Sequence, residues 1–286
     1  MKLSAVAVAA VAGAGVAFTY VATGGITKTT PPADAQAAGH GGVLLNSETP
    51  QPTSTATTPT TTAAPPENQV LPFNAKLTTD NIPVKTGGVR SGACSGSLIA
   101  REWILTAGHC FRNVNEVRVS GKPPYTMKVV VGKLKDSDPG GHTAEVVDVR
   151  QSKVSDLAVV KLSEPVDGIT PVSLGDSKPS VGLQVKFAGW GSLSSTVLSP
   201  SDHLKRGDFK VVKVNQYTLE AEPMVPRTVE NSPCPQDSGA PFFVSDDDKT
   251  GKVIAIVNTG PSCPQPGREI IARVDAVADW IREQTG

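Results

Sequence analysis

Short runs of β-branched and aromatic residues, separated by turn residues, fill most of the chain after residue 69. Nine such runs stand out: EVRVSG, MKVVVGKL, AEVVDVR, DLAVVKL, LQVKFAGWG, FKVVKV, PFFV, KVIAIVN and EIIARV. Many short strands with little helix between them favour an all-β sandwich or barrel. Only the end reads as a helix, because Val274, Val277, Ala278 and Ile281 recur at helical spacing.

The first 37 residues have the pattern of an export segment. Lys2 precedes an apolar stretch from Leu3 to Val21, and the small-residue sites Ala33-Asp34-Ala35 and Ala35-Gln36-Ala37 follow. This arrangement predicts a secretory signal peptide. An N-terminal membrane anchor is the alternative, since the stretch is long enough to cross a bilayer. The high Ala, Gly and Thr content favours the signal peptide.

Residues 38–68 are predicted to form a disordered Thr/Pro-rich spacer. From Glu48 to Asn68 the chain reads ETPQPTSTATTPTTTAAPPEN, which lacks any large apolar residue. Such a segment cannot bury enough surface to offset the entropy of ordering. Residues 69–286 then remain for one folded domain, which the spacer would tether to a membrane or cell wall if the leader is retained.

The charge and the cysteine content limit which ligands, metals and disulfides the chain is expected to have. The chain has 27 basic and 27 acidic residues, a balance that offers no general attraction to nucleic acid. Four cysteines, Cys94, Cys110, Cys234 and Cys263, lie after the export segment and predict two disulfides, with three pairings open. No Cys-x-x-Cys or close Cys/His cluster suggests a metal site. We predict no metal and no cofactor, and we expect a monomer.

The segment SPCPQDSGA, residues 232–240, contains the candidate nucleophile Ser238. Asp-Ser-Gly is also ordinary turn sequence, so its interpretation depends on partners. A serine nucleophile needs a histidine base and an orienting carboxylate. His109, at the end of the apolar run EWILTAGHCF, and Asp156, at the head of DLAVVKL, are the candidates. Taken singly, they also read as a buried histidine and a turn aspartate.

Together these segments resemble the trypsin-like (chymotrypsin-fold) serine proteases. The blocks that carry the resemblance occur in the family's order, and the histidine, aspartate and serine follow the family's sequence as well. The blocks are CSGSLIAREWILTAGHC (94–110), DLAVVKL (156–162), FAGWG (187–191), CPQDSGAP (234–241), IVNTG (256–260) and ARV with WI (272–281). The export signal, four cysteines and short loops are most similar to the bacterial secreted members.

The resemblance implies a fold, two disulfides and a catalytic triad. The fold is two packed six-stranded antiparallel β-barrels with a C-terminal helix outside. Cys94 would pair with Cys110, and Cys234 with Cys263. Ser238 would attack the peptide carbonyl while His109 accepts its proton and Asp156 orients the histidine.

Two departures from the family pattern affect the site. The oxyanion hole would use the backbone N–H groups of Gln236 and Ser238, yet the family normally has glycine where Gln236 stands. A residue other than glycine at positive φ costs about 1 kcal/mol, and a flipped peptide would withdraw one donor. No segment matches the family's mature N-terminus, whose freed α-amine pairs with the aspartate equivalent to Asp237, so that carboxylate needs another partner.

The resemblance also places substrate-binding residues. Asn258, Thr259 and Gly260 are similar to the edge strand that pairs with the substrate backbone. Ser232 corresponds to the floor of the specificity pocket. Because serine is neutral, this position does not by itself select substrates with a Lys or Arg side chain. One alignment places Glu269 at the pocket wall. The other uses Gly267 there and treats Arg268 and Glu269 as a surface insertion.

Two function classes remain at this stage. The first is an exported serine endopeptidase that acts on protein or peptide substrates and is secreted or associated with a membrane or cell wall. The second is a non-catalytic or weakly active binding protein on the same scaffold, with an impaired oxyanion hole, since a fold does not guarantee an activity.

Overall fold

The computed structural model describes residues 71–286, and the predicted signal peptide or anchor (1–37) and spacer (38–68) lie outside the described residues. The first half of the described chain is a closed barrel with strand order β1-β2-β3-β6-β5-β4. Every pairing in this barrel is antiparallel. Its strands are β1 (Asn74–Pro83), β2 (Val89–Ala100), β3 (Trp103–Thr106), β4 (Lys128–Val131), β5 (His142–Gln151) and β6 (Ala158–Leu162).

The second half is a sheet of order β11-β8-β9-β10-β13-β12-β7. Antiparallel pairing of β11 with β12 closes six of these strands into a second barrel, and the two-residue β7 adds to β12 in parallel. The strands are β7 (Ser173–Leu174), β8 (Gln184–Gly189), β9 (Lys205–Val214), β10 (Thr218–Pro223), β11 (Pro241–Val244), β12 (Lys252–Thr259) and β13 (Glu269–Arg273). A 3₁₀ turn (Asp275–Val277) and helix α1 (Ala278–Thr285) end the chain. The predicted two-barrel fold with a C-terminal helix is confirmed.

Eight of the nine predicted runs contain a strand, and the exception is EVRVSG. Just before and at the start of that run, the side chain of Asn113 accepts hydrogen bonds from the backbone N–H groups of Asn115 and Val117, which forms a turn. Glu116 takes a positive φ of 61° within the turn. Only isolated bridges at Arg118 and Gly121 remain, because side-chain bonding to the local backbone competes with a β-ladder.

The barrels pack against each other through aromatic and backbone contacts. Phe73 at the start of the first barrel meets Phe243 of β11 edge to face, with ring centroids 5.5 Å apart. The backbone N–H of Ser95 in β2 donates to the carbonyl of Ser238 at 2.8 Å. The first barrel therefore holds the segment that contains the candidate nucleophile. Within residues 71–286, no helix is long and apolar enough to span a membrane.

Candidate active site

Three loops from the two barrels bring the candidate catalytic residues together. His109 lies in a 3₁₀ turn (Gly108–Cys110) directly after β3, and Asp156 lies two residues before β6. Ser238 comes from the second barrel, in the loop that leads into β11. Because β3 and β6 pair in register, from Thr106 opposite Ala158, the histidine and the aspartate leave the first barrel at the same end.

The three side chains form a continuous hydrogen-bonded chain. Asp156 Oδ2 lies 2.6 Å from His109 Nδ1, and His109 Nε2 lies 2.7 Å from Ser238 Oγ. The second carboxylate oxygen, Oδ1, accepts the backbone N–H of His109 at 2.8 Å. One carboxylate therefore fixes both the turn and the ring of the histidine. In this arrangement Nδ1 carries a proton, and the lone pair on Nε2 faces the serine hydroxyl.

The carboxylate of Asp156 is held in its charged form. Burial raises its pKa, but the hydrogen bonds from the side chain and the backbone of His109, together with the positive charge of Arg118, outweigh that cost, so the pKa lies below its ordinary value. Arg118 Nη1 is 3.4 Å from Oδ1. At neutral pH, Asp156 is therefore an anion beside the imidazole.

Two disulfides hold the loops that carry these residues. Cys94–Cys110 links β2 to the turn of His109, and Cys234–Cys263 links the segment before Ser238 to the loop between β12 and β13. All four cysteines of the chain are thereby paired. These are the two pairings that the family resemblance implies.

A cavity of about 250 Å³ opens beside Ser238. One wall consists of Asn258, Thr259 and Gly260, the predicted substrate strand, and Glu269 also lines it. Glu269 is only 1% exposed, so the alignment that treated it as a surface insertion is wrong. Gly260 leaves room for the carboxylate, because a Cβ at that position would lie 2.1 Å from Glu269 Oε2.

Ser232 differs from its predicted position at the pocket floor. It is fully buried and does not line the cavity. Its hydroxyl donates to the side chain of Asn231 at 2.9 Å, and its carbonyl accepts a hydrogen bond from Lys205. The local polar partners of Ser232 therefore turn it away from the cavity, and Glu269 supplies the acidic group at the cavity wall.

The turn before Ser238 orients two backbone donors. Gln236 has a positive φ of 75°. Glycine adopts this conformation more readily than other residues, which is why the family pattern predicts glycine at this position. The Pro235 carbonyl accepts the backbone N–H of Ser192 at 2.8 Å. Because the C=O and N–H of a trans peptide point in opposite directions, the N–H of Gln236 faces away from Ser192. Within residues 71–286, neither the Gln236 nor the Ser238 N–H has a protein acceptor.

Comparison with known proteins identifies the family. Residues 61–281 match the family model described as Trypsin, and this span covers more than half of the chain. The chain belongs to the trypsin family. The family that the sequence blocks indicated is therefore confirmed.

Several curated members of the trypsin family are similar to this chain. Trypsin-3 of Homo sapiens is 25% identical over 233 residues, which cover 76% of this chain and 69% of Trypsin-3. Transmembrane protease serine 11G of Mus musculus is 29% identical over 213 residues, covering 67% and 49%. Serine protease Hayan of Drosophila melanogaster is 26% identical over 220 residues, covering 66% and 34%. The chain thus spans about half or less of the two longer relatives.

A solved structure shows the same trypsin-family fold. Neuropsin, described as a serine protease expressed in the limbic system of mouse brain, superposes with a TM-score of 0.59 at 19% identity. The match covers 78% of this chain and 98% of the neuropsin chain. At this identity the likeness shows the fold alone. These relatives come from animals, so the bacterial type suggested by the short loops stays a prediction.

Asp237 has a buried cation partner that the sequence did not indicate. Its Oδ2 lies 2.5 Å from Lys205 Nζ, and both side chains are fully buried. Asp237 Oδ2 also accepts the backbone N–H of Cys234 at 2.8 Å, and Oδ1 accepts that of Gly191 at 2.6 Å. Lys205 is therefore the partner of the carboxylate for which the family resemblance implied a freed α-amine.

The ammonium group of Lys205 also donates hydrogen bonds to backbone carbonyls around Asp237. Besides Asp237, it donates to the carbonyls of Ser232, Val229 and Ser192 at 3.0, 3.2 and 3.4 Å. Gly191 is needed for the same cluster, since a Cβ there would lie 2.2 Å from Asp237 Oδ2. The pair thus joins β9 to the segment just before Ser238.

Replacing Lys205 by methionine is expected to destabilise the domain by about 3–5 kcal/mol, because the Asp237 carboxylate would stay buried without its cation. For a domain of this size the melting temperature should fall by about 6–20 °C. Lys210→Met, on the exposed face of the same strand, should change stability by less than about 0.5 kcal/mol. Thermal unfolding of both variants checks this, and equal melting temperatures would show that the pair contributes little.

Replacing Gln236 by glycine is expected to leave kcat within about threefold of the parent. In the native turn neither N–H group is engaged by a protein acceptor, so glycine adds no donor. Relief of the positive φ should appear instead as a stability gain of at most about 1 kcal/mol. Steady-state kinetics and thermal unfolding separate the two effects. A tenfold rise in kcat would mean that glutamine impairs the oxyanion hole.

Proposed function

We propose that this chain is an exported serine endopeptidase that hydrolyses peptide bonds through an acyl-enzyme on Ser238. The observation that carries the proposal is the Asp156–His109–Ser238 chain of hydrogen bonds, at 2.6 and 2.7 Å, next to a lined cavity. Membership of the trypsin family supports the reaction class. The substrate class is protein or peptide.

In the proposed acylation each of the three side chains has a role. Ser238 Oγ attacks the carbonyl carbon of the scissile bond while its proton passes to His109 Nε2. The imidazolium that forms is stabilised by the anionic Asp156, which lies in contact with Nδ1. When the tetrahedral intermediate collapses, His109 gives the proton to the leaving amine, and the acyl group stays on Ser238.

Deacylation uses the same groups with water in place of the amine. His109 takes a proton from water, the hydroxide attacks the acyl carbonyl, and the proton returns to Ser238 as the carboxylic acid leaves. In both steps the N–H groups of Gln236 and Ser238 would bind the negatively charged oxygen. Each such donor contributes roughly 10²–10³ in rate, so the orientation of the Gln236 peptide favours the enzyme over the binding-protein alternative.

The substrate backbone would pair with Asn258, Thr259 and Gly260 at the end of β12. This stretch lines the cavity beside Ser238 and has no partner strand on its cavity side among the described pairings. Addition of an extended peptide to a strand edge is a general recognition mode. We therefore place the residue before the scissile bond with its side chain in the cavity.

The remaining organisation follows from the sequence. We propose residues 1–37 as signal peptide or anchor, 38–68 as spacer and 69–286 as the protease domain of a secreted, bacterial-type monomer without a cofactor. The two disulfides suit an oxidising extracellular compartment. Since Lys205 already neutralises Asp237, we propose that the site forms without release of a new N-terminus.

Fluorophosphonate labelling of the full chain tests the proposal. The probe reacts with an activated serine, so the parent should be labelled stoichiometrically and lose its hydrolysis of a protein substrate in parallel. His109→Ala should prevent labelling, whereas His142→Ala, outside the site, should not. A folded parent that neither reacts with the probe nor cleaves protein would support the binding-protein alternative.

A further inference from the structure

A buried ion pair lies at the wall of the cavity beside Ser238. Arg227 Nη1 is 2.5 Å from Glu269 Oε1, and each side chain is only 2% exposed. Arg227 Nη2 also donates to the Pro233 carbonyl at 3.3 Å, which ties the arginine to the segment before the nucleophile. Arg227 precedes that segment in the chain, and Glu269 is the first residue of β13.

The two partners face the cavity differently. Glu269 lines it together with Gly260 and Ser238, whereas Arg227 is not among the lining residues. The arginine therefore reaches the carboxylate from behind the cavity wall. Glu269 Oε2, the oxygen that Arg227 leaves free, packs against Gly260. A substrate side chain that entered the cavity would meet a carboxylate that already has a cation.

The charge of the pair decides what the cavity can accept. A second cation on Glu269 would leave one positive charge uncompensated in a buried site, which is strongly unfavourable. Burial also raises the pKa of Glu269 to about 7, although the attraction of Arg227 opposes that rise. The other charged groups near it, Asp237 and Lys205, form a pair of their own.

We propose that Arg227 is a specificity-determining residue: it neutralises Glu269 from within the chain and so excludes Lys and Arg side chains from the cavity, which accepts uncharged side chains instead. This inference rests on the proposed function, because it concerns the residue before the bond that Ser238 attacks. It predicts that removal of Arg227 exposes an acidic pocket.

A peptide-library profile of the full chain tests the inference. The parent should cleave after uncharged residues and at least tenfold less efficiently after Lys or Arg. Arg227→Gln should raise kcat/KM for Lys and Arg peptides about 10–100-fold relative to uncharged ones, the range of a charge-assisted hydrogen bond. The double variant Arg227→Gln with Glu269→Gln should lose this gain. Arg268→Gln, whose arginine pairs with Glu222 on the surface, should keep the parent profile.

The affinity of the same proteins for benzamidine, measured by calorimetry, tests whether the pocket binds a cation and does not depend on catalysis. Arg227→Gln should bind this amidine at least tenfold more tightly than the parent and the double variant. Equal binding, or a parent that prefers Lys or Arg, would overturn the inference. If binding discriminates as expected but no protein hydrolyses peptides, the proposed function fails and the pocket assignment stands.

If Arg227→Gln does not fold, a second variant still tests the inference. Glu269→Gln then decides, because the inference predicts that it continues to reject Lys and Arg, with Arg227 still present as a cation. A parent preference for Lys or Arg that disappears in Glu269→Gln would show that the carboxylate receives the substrate despite Arg227, and the inference would be wrong.

Discussion

Alanine in place of Ser238 is expected to lower kcat for peptide hydrolysis by about 10⁶, the loss measured when a serine protease triad loses its nucleophile. The hydroxyl is in contact with His109 Nε2 at 2.7 Å and lies at the cavity, where the proposed reaction requires an attacking oxygen. Without it, no acyl-enzyme can form, and only the oxyanion donors and substrate binding remain. Single-turnover and steady-state assays on the purified full chain measure the loss.

The same substitution should leave the fold intact. The backbone carbonyl of Ser238, not its hydroxyl, bonds Ser95 across the barrels, so alanine keeps that contact. Thermal unfolding of the variant should therefore match the parent closely, within about 0.5 kcal/mol. Ser199→Ala, in an exposed loop, serves as the matched control and should retain full activity. Equal turnover by parent and Ser238→Ala would end the interpretation of this site as an active site.

Asparagine in place of Asp156 is expected to lower kcat by about 10⁴. The carboxylate accepts hydrogen bonds from both Nδ1 and the backbone N–H of His109. Asparagine offers one oxygen and one NH₂ group. With its oxygen on the backbone N–H, the NH₂ would face Nδ1 and favour the tautomer with a proton on Nε2. The imidazole could then no longer accept the proton of Ser238.

The pH dependence of this variant gives a second readout. At high pH, hydroxide from solvent can accept the proton of Ser238 in place of the histidine, so activity should rise towards alkaline pH more steeply than in the parent. Asp167→Asn, whose carboxylate pairs with Arg101 on the surface, is the control and should behave as the parent. A loss of less than tenfold in Asp156→Asn would mean that a different group orients His109.

The fold could be predicted where local pattern and tertiary packing agree. DLAVVKL and KVIAIVN became β6 and β12 because their continuous apolar runs suit strands buried in a barrel. EVRVSG has the alternating pattern of a half-buried strand, with Val117 and Val119 two residues apart, but no strand forms there, since Asn113 bonds the backbone that a strand would need. Such competition depends on a side chain outside the run and is not visible in its periodicity.

The candidate triad could be predicted because its residue types are rare and ordered, with only four histidines in the chain. The buried cations could not, because lysine and arginine normally read as surface residues. A partial signal existed for Lys205, which shares the inward face of β9 with Phe209 and Val211 at two-residue spacing. Arg227 has no such signal, since it lies in a loop and its partner Glu269 is 42 residues away.

Trapping of the acyl-enzyme tests the central claim most directly. The full chain would be mixed with an activated peptide ester, quenched in acid within the first turnover, digested and analysed by mass spectrometry. The account predicts one acyl group per molecule, located on the peptide that contains Ser238. An acyl group on any other residue, or hydrolysis of the ester without an adduct in the parent, would contradict it.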